Sequence, residues 1–74
     1  MKKQTSGRLL NVLIQMGEAL QNSGAEIYRV EDTLNRIGYA CGAEEMNVFV
    51  ITSSIVITKK MPGEESLTQT RRLR

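Results

Sequence analysis

Glu26, Arg29, Glu31, Asp32 and Arg36 bring charge into a short central stretch of this chain. Glu26 and Arg29, Arg29 and Asp32, and Asp32 and Arg36 stand three or four residues apart, the spacing at which side chains meet on a helix surface. Two chemistries fit such a set. One is a solvated ladder of ion pairs, each contributing about 0.3–0.5 kcal/mol. The other is acid/base work by two carboxylates, one desolvated and one in water. Glu31 stands apart because it falls between the charged face and the apolar stripe, close to Tyr28 and Asn35, where a carboxylate becomes half-buried. On spacing alone the solvated ladder is the favoured reading, since exposed charge on a helix is ordinary, and Glu26, Arg29, Glu31 and Asp32 are the residues a functional, solute-binding face would use. No catalytic set is assigned. The chain has no histidine, Cys41 falls on an apolar stripe where a thiol is a poor nucleophile, and neither a Gly-x-Ser-x-Gly elbow nor a phosphate-binding loop is present. Ser53 and Ser54 read as turn formers.

The elements that must position these residues follow from periodicity. Leu9, Leu13, Met16 and Leu20 recur at helical spacing, with Leu10, Ile14 and Gly17 beside them, and predict a helix from about Ser6 to Asn22. Asn22-Ser23-Gly24 ends it. Ser23 with Glu26 three residues on has the form of a capping box, so the second helix is expected from Ala25 to Cys41. Its apolar stripe is Ile27, Val30, Leu34, Ile37 and Cys41, with Gly42 as a left-handed cap. So short a connection makes the helices an antiparallel hairpin, with Leu20 opposite Ile27, Gly17 opposite Val30, Leu13 opposite Leu34 and Leu10 opposite Ile37. Glycine within a helix costs about 1 kcal/mol relative to alanine, so Gly17 and Gly38 call for close packing. Met16 and Met46 read as core fillers, and Tyr28 and Tyr39 as half-buried residues with their hydroxyls at the rim.

From Glu45 onward the residues become β-branched and alternating. Strands are expected over Met46–Thr52, Ser54–Lys60 and Ser66–Leu73, joined by turns at Thr52-Ser-Ser54 and Met61-Pro-Gly-Glu64. The fold class is thus α+β: a two-helix antiparallel hairpin packed on a three-stranded antiparallel meander, in the order α-α-β-β-β. The first strand is apolar on both faces. Phe49, Ile51 and Val56, or the opposite set, should form an uncovered patch that implies a partner, a second copy of the chain being the expected one. The third strand, with Thr68, Gln69, Thr70 and Arg71 in its middle, suits a solvated edge.

A chain of 74 residues allows one domain with a thin core. A single cysteine permits no internal disulfide, no metal or cofactor set is legible, and the N-terminus lacks a signal-sequence stretch, so a cytoplasmic setting is expected. The longest apolar run, Val48-Phe-Val-Ile51, is far short of the roughly 20 residues needed to span a bilayer. Net charge is +2 with few aromatics, which argues against nucleic acid as a partner.

The segment Ser23-Gly-Ala-Glu-Ile-Tyr-Arg-Val-Glu-Asp-Thr-Leu34 resembles the signature of the threonine/serine exporter family. The likeness extends to Leu13-Ile-Gln-Met-Gly-Glu-Ala-Leu20, Val48-Phe-Val-Ile-Thr52, Ile55-Val-Ile-Thr58 and Thr70-Arg-Arg-Leu-Arg74. Lys59 and Lys60 depart from it, since the apolar pattern of the family would continue there. The resemblance implies that residues 1–74 form a single soluble domain at the N-terminal side of a longer membrane protein, on the cytoplasmic face of the cell membrane. Its partner would be that protein's own transmembrane region, and its role accessory (assembly, gating or sensing) in the export of small polar solutes such as threonine and serine. A stand-alone homo-oligomerising module is the alternative. A small hydrolase using Glu26, Glu31 or Asp32 is a third reading, since hydrolase-like activity has been suspected in this region of family members.

Overall fold

The computed structural model describes the backbone of residues 2–73 and the side chains of residues 7–73. Two helices, α1 (Lys2–Asn22) and α2 (Ile27–Ala40), precede three strands, β1 (Glu45–Ile51), β2 (Ser54–Lys60) and β3 (Leu67–Arg72). The strands form an antiparallel meander in the order β1-β2-β3. The expected α+β architecture is the observed one. α1 starts earlier than Ser6, since Lys2, Lys3 and Gln4 are good helix formers.

Ser23 serves the first helix and not the second. Its Oγ–H donates to the carbonyls of Ala19 and Leu20 at 3.1 and 3.0 Å. The Ala25 N–H reaches back to the Leu20 carbonyl and the Gly24 N–H to that of Gln21, the paired bonds of a Schellman ending. Gly24, at φ 88°, takes the left-handed position that closes it. Glu26 is then the N-cap of α2, with extended dihedrals and no side-chain cap hydrogen bond. The expected capping box does not form because a glycine directly after Ser23 makes the serine the end of α1. α2 therefore starts at Ile27, not Ala25. At its other end the expected Gly42 cap is present: Ala43 N–H bonds the Gly38 carbonyl, Gly42 N–H bonds that of Tyr39, and Gly42 has φ 103°.

Alternation along the strands sets the core. Val48 and Val50 on β1 pair with Ile57 and Ile55 on β2, and all four point toward the helices. They meet Leu10, Leu13 and Ile14 of α1 and Val30 and Leu34 of α2, with Leu73 closing the cluster. Gly17 is buried because a Cβ there would stand 2.9 Å from Ile55 Cδ1 and 3.0 Å from Leu34 Cδ1, with Val30 Cγ1 at 3.9 Å. A Cβ on Gly38 would collide with the Met46 side chain. Both glycines thus permit the close packing that their cost in a helix calls for.

The opposite face carries Phe49, Ile51 and Val56, and of these Phe49 and Ile51 are 59% and 42% exposed. Three expectations fail. Cys41 is exposed rather than on the core stripe, because the helix ends at Ala40 and leaves it in the cap. Ile27, in the first turn, is exposed at 37% for the same reason at the other end. Tyr28 and Tyr39 are exposed, at 63% and 52%, rather than half-buried, though the Tyr39 hydroxyl does reach the rim, where it accepts the Met46 N–H.

Candidate functional site

The charged residues of α2 divide between two surfaces. Arg29, Asp32 and Arg36 face away from the core and are exposed. Of the three expected pairs the Asp32–Arg36 pair forms, at 3.0 Å, between side chains that are 61% and 80% exposed. A pair so solvated contributes little. Glu26 is exposed at the helix start. Glu31 turns toward the sheet instead, half-buried, and its Oε2 accepts the Val50 N–H at 3.0 Å.

That bond belongs to a row. Two turns along α2, the Tyr39 hydroxyl oxygen accepts the Met46 N–H at 3.3 Å. Amides alternate sides along a strand, so those of Met46 and Val50, and the Val48 amide between them, point away from β2 to the open edge. Four helical residues rise about 6 Å and two strand residues about 6.8 Å, so Glu31, Asn35 and Tyr39 run in step with Val50, Val48 and Met46. Asn35 stands between the two bonded residues, and its Oδ1 is buried without a hydrogen-bond partner. α2 thus covers the edge of β1 with polar side chains at i, i+4 and i+8. An uncovered edge is a template for foreign strands. At the same end of the fold, Gln21 Nε2 donates to the Ile51 carbonyl at 3.2 Å, and Arg71 reaches Glu18 at 2.8 Å, tying β3 to α1.

Sequence reasoning singled out Glu31 correctly as the half-buried carboxylate but missed the roles of Asn35 and Tyr39. The signal was there: a polar stripe at four-residue spacing beside the apolar one. The Glu18–Arg71 pair had no local signal, being 53 positions apart.

A second polar group lies where β1 starts and β2 ends. Lys60 Nζ donates to Glu44 Oε1 at 2.6 Å, and Glu45 is the cross-strand neighbour of Lys60. The hydrogen bond it donates to Glu44 holds the Lys60 ammonium above its ordinary pKa against the opposing effect of burial, with the charges of Glu44 and Glu45 adding to the rise. Glu45 and Lys60 border a cleft of about 260 Å³.

The arrangement defines a small helix-clamped sheet domain whose charged groups bind strand amides and one another. The chain belongs to the threonine/serine exporter family: residues 11–74 match the family titled "Putative threonine/serine exporter" (ThrE). No curated protein and no solved structure matches the chain. Among the described residues no helix is long and apolar enough to cross a membrane.

Proposed function

We propose that this chain is the cytoplasmic accessory domain of a threonine/serine exporter-like transporter, with translocation performed by membrane helices elsewhere in the parent protein. The family match over residues 11–74 carries this reading. The domain acts in assembly, gating or sensing and performs no chemistry. Its charged groups support that role, since Glu31 is engaged with a strand amide and Asp32 with Arg36. Glu26 and Arg29 remain as exposed groups for contact with the membrane region or with solute.

Export from solute-loaded cells tests the proposal. In the full-length parent, Glu31→Ala removes the acceptor that links α2 to β1. It is expected to lower export about fivefold per folded transporter, the effect of about 1 kcal/mol of lost coupling, with export normalised to the amount of folded protein in the membrane. Glu31→Gln keeps an acceptor oxygen and loses the charge, so its effect is smaller but in the same direction. Asp32→Asn, in a solvated pair, does less still. Wild-type export by all three variants would reduce the charged face to a solvated ladder. Glu31-dependent hydrolysis of a peptide or ester by the purified chain would establish an enzyme instead.

A second reading, a stand-alone homo-oligomerising module, is favoured by one observation, the exposure of Phe49 beside Ile51 on the open sheet face.

A further inference from the structure

The two edges of the sheet differ. α2 runs along β1, and the amides of Val50 and Met46 are bonded to its Glu31 and Tyr39 side chains. No such row covers β3 among the described residues. Ladder bonds alternate sides along a strand, and the Leu73 N–H points to the Ser53 carbonyl at 2.7 Å, so Leu67, Gln69 and Arg71 share that side and face β2. Thr68, Thr70 and Arg72 turn their N–H and C=O groups outward. All three residues are exposed, and none of these backbone groups has a partner among the described residues.

Little on β3 discourages pairing. Open edges are blunted by proline, bulges and charge. β3 has no proline, its register with β2 is continuous from Leu67 to Arg72, and Glu18 meets the Arg71 charge at 2.8 Å. Its threonines favour strands. The same ion pair fixes which flank of α1 lies on the β3 side: Asn11, Gln15, Glu18 and Asn22 follow one another at helical spacing, so the exposed Asn11, Gln15 and Asn22 stand in line with Glu18. Apart from Glu18 these residues are uncharged, and a second copy approaching the edge meets no repulsion from them.

We propose that two copies of this chain join β3 to β3 in antiparallel fashion, three strands from each copy making one sheet of six. The residues fix the register. Pairing Thr68 with the partner's Arg72, and Thr70 with the partner's Thr70, satisfies the outward groups within the strand and sets Gln69 across from the partner's Arg71. A shift of two residues one way puts Arg71 opposite its own copy, a like-charge pair; the other way, Arg72 falls opposite Ser66, outside β3. The charges complement as well. Glu64 and Glu65 precede β3, so the antiparallel arrangement carries this acidic segment of one copy just beyond the Arg71-Arg72 end of the other. Neither Arg72 nor Glu65 makes a salt bridge among the described residues. A two-fold axis repeats each contact and closes the pair, leaving at the outer edges the β1 strands that α2 covers. The pairing holds whether the chain is part of a transporter or stands alone.

Hydrogen exchange and sedimentation of the 74-residue chain at rising concentration test the pairing. The amides of Thr68, Thr70 and Arg72 are expected to gain protection as the dimer forms. A mixture of isotope-labelled and unlabelled chain should show intermolecular Hα–Hα contacts between Gln69 and Arg71, a close pair in this register. Thr70→Pro removes the two central bonds of the seam and spares the fold, because that N–H faces outward on an edge strand. It should weaken the dimer about tenfold. Arg72→Glu should weaken it too, and adding Glu65→Arg should restore it. Phe49→Thr with Ile51→Thr removes the sheet-face contact and should leave the β3 protection in place. Free exchange of the three amides at every concentration overturns the proposal, whether the chain stays monomeric or associates through the sheet face. So does a Thr70→Pro chain that dimerises like the unmutated one, or intermolecular contacts from β3 to any other strand. The exchange and labelling measurements use the unmutated chain, so they decide the matter even if a variant unfolds.

Discussion

Glu31 stands in for the strand that β1 lacks on its open side. Its carboxylate accepts an edge amide that would otherwise face solvent or a foreign chain. Deleting that acceptor with Glu31→Ala should destabilise the domain by about 1–2 kcal/mol, read as a lower urea midpoint, whereas Glu31→Gln should recover most of the loss. The helix junction supports a pair of opposite predictions. The Ser23 hydroxyl donates to carbonyls at an exposed helix end, where water can replace it, so Ser23→Ala should shift stability by less than about 0.5 kcal/mol. Glu26 holds the N-cap position without using it. Glu26→Ser should therefore stabilise by about 0.5–1 kcal/mol, as an added N-cap does. A large loss on Ser23→Ala, with no gain on Glu26→Ser, would restore the capping box that the sequence suggests.

The two helices do different jobs on the same sheet. α1 lies over β2 and β3 and approaches closely through Gly17, where Ile55 and Leu34, both fully buried, leave no room for a methyl group. Gly17→Ala gains about 1 kcal/mol of helix propensity yet should destabilise the domain overall by about 1–3 kcal/mol, because overpacking forces these side chains out of place. Replacing Leu34 with alanine in the same chain should make the two changes less than additive. Thermal unfolding of the single and double variants measures this, and strict additivity would contradict the close contact. α2, by contrast, lies along β1 and seals its edge through Glu31 and Tyr39, with Asn35 between them. β3, at the other edge, carries Thr68, Gln69, Thr70 and the paired Arg71.

Lys59 makes the fold as a whole sensitive to pH. It points inward from the central strand, is 1% exposed, and burial pushes its pKa below the ordinary 10.5 against a smaller upward pull from Glu64. The unfolded chain therefore holds a proton at pH values where the folded chain has released it, so stability rises as pH climbs toward 10.5. Lys60, shifted upward, acts in the opposite sense and only above 10.5. Lys59→Met should abolish the alkaline rise and add about 1 kcal/mol at neutral pH, since a buried charge is replaced by an apolar side chain. Urea unfolding across that range reads it directly, and an unchanged pH profile would contradict it. The open sheet face makes a prediction of its own. Phe49 and Ile51 should drive self-association, and Phe49→Thr with Ile51→Thr should shift the chain toward monomer in sedimentation. A wild-type monomer at high concentration would count against a partner for this face.

Periodicity and turn chemistry alone determine the order α-α-β-β-β and the Gly42 cap, and the segment from Ser23 to Leu34 carries the family, because each is written in residues close together in the chain. The signals around Ser23 were local too, but two of them competed for the same serine. The left-handed glycine at Gly24 resolved the contest in favour of ending α1. The sequence left open which sheet face the helices cover. Packing placed Val48 and Val50 beneath them and Phe49 and Ile51 outside, since both sets are apolar and only tertiary contact distinguishes them. The bonds from Glu31 to Val50, Tyr39 to Met46 and Glu18 to Arg71, and the burial of Lys59, likewise belong to the tertiary structure. Each depends on where one element docks against another, a distance that no spacing within a single helix or strand encodes.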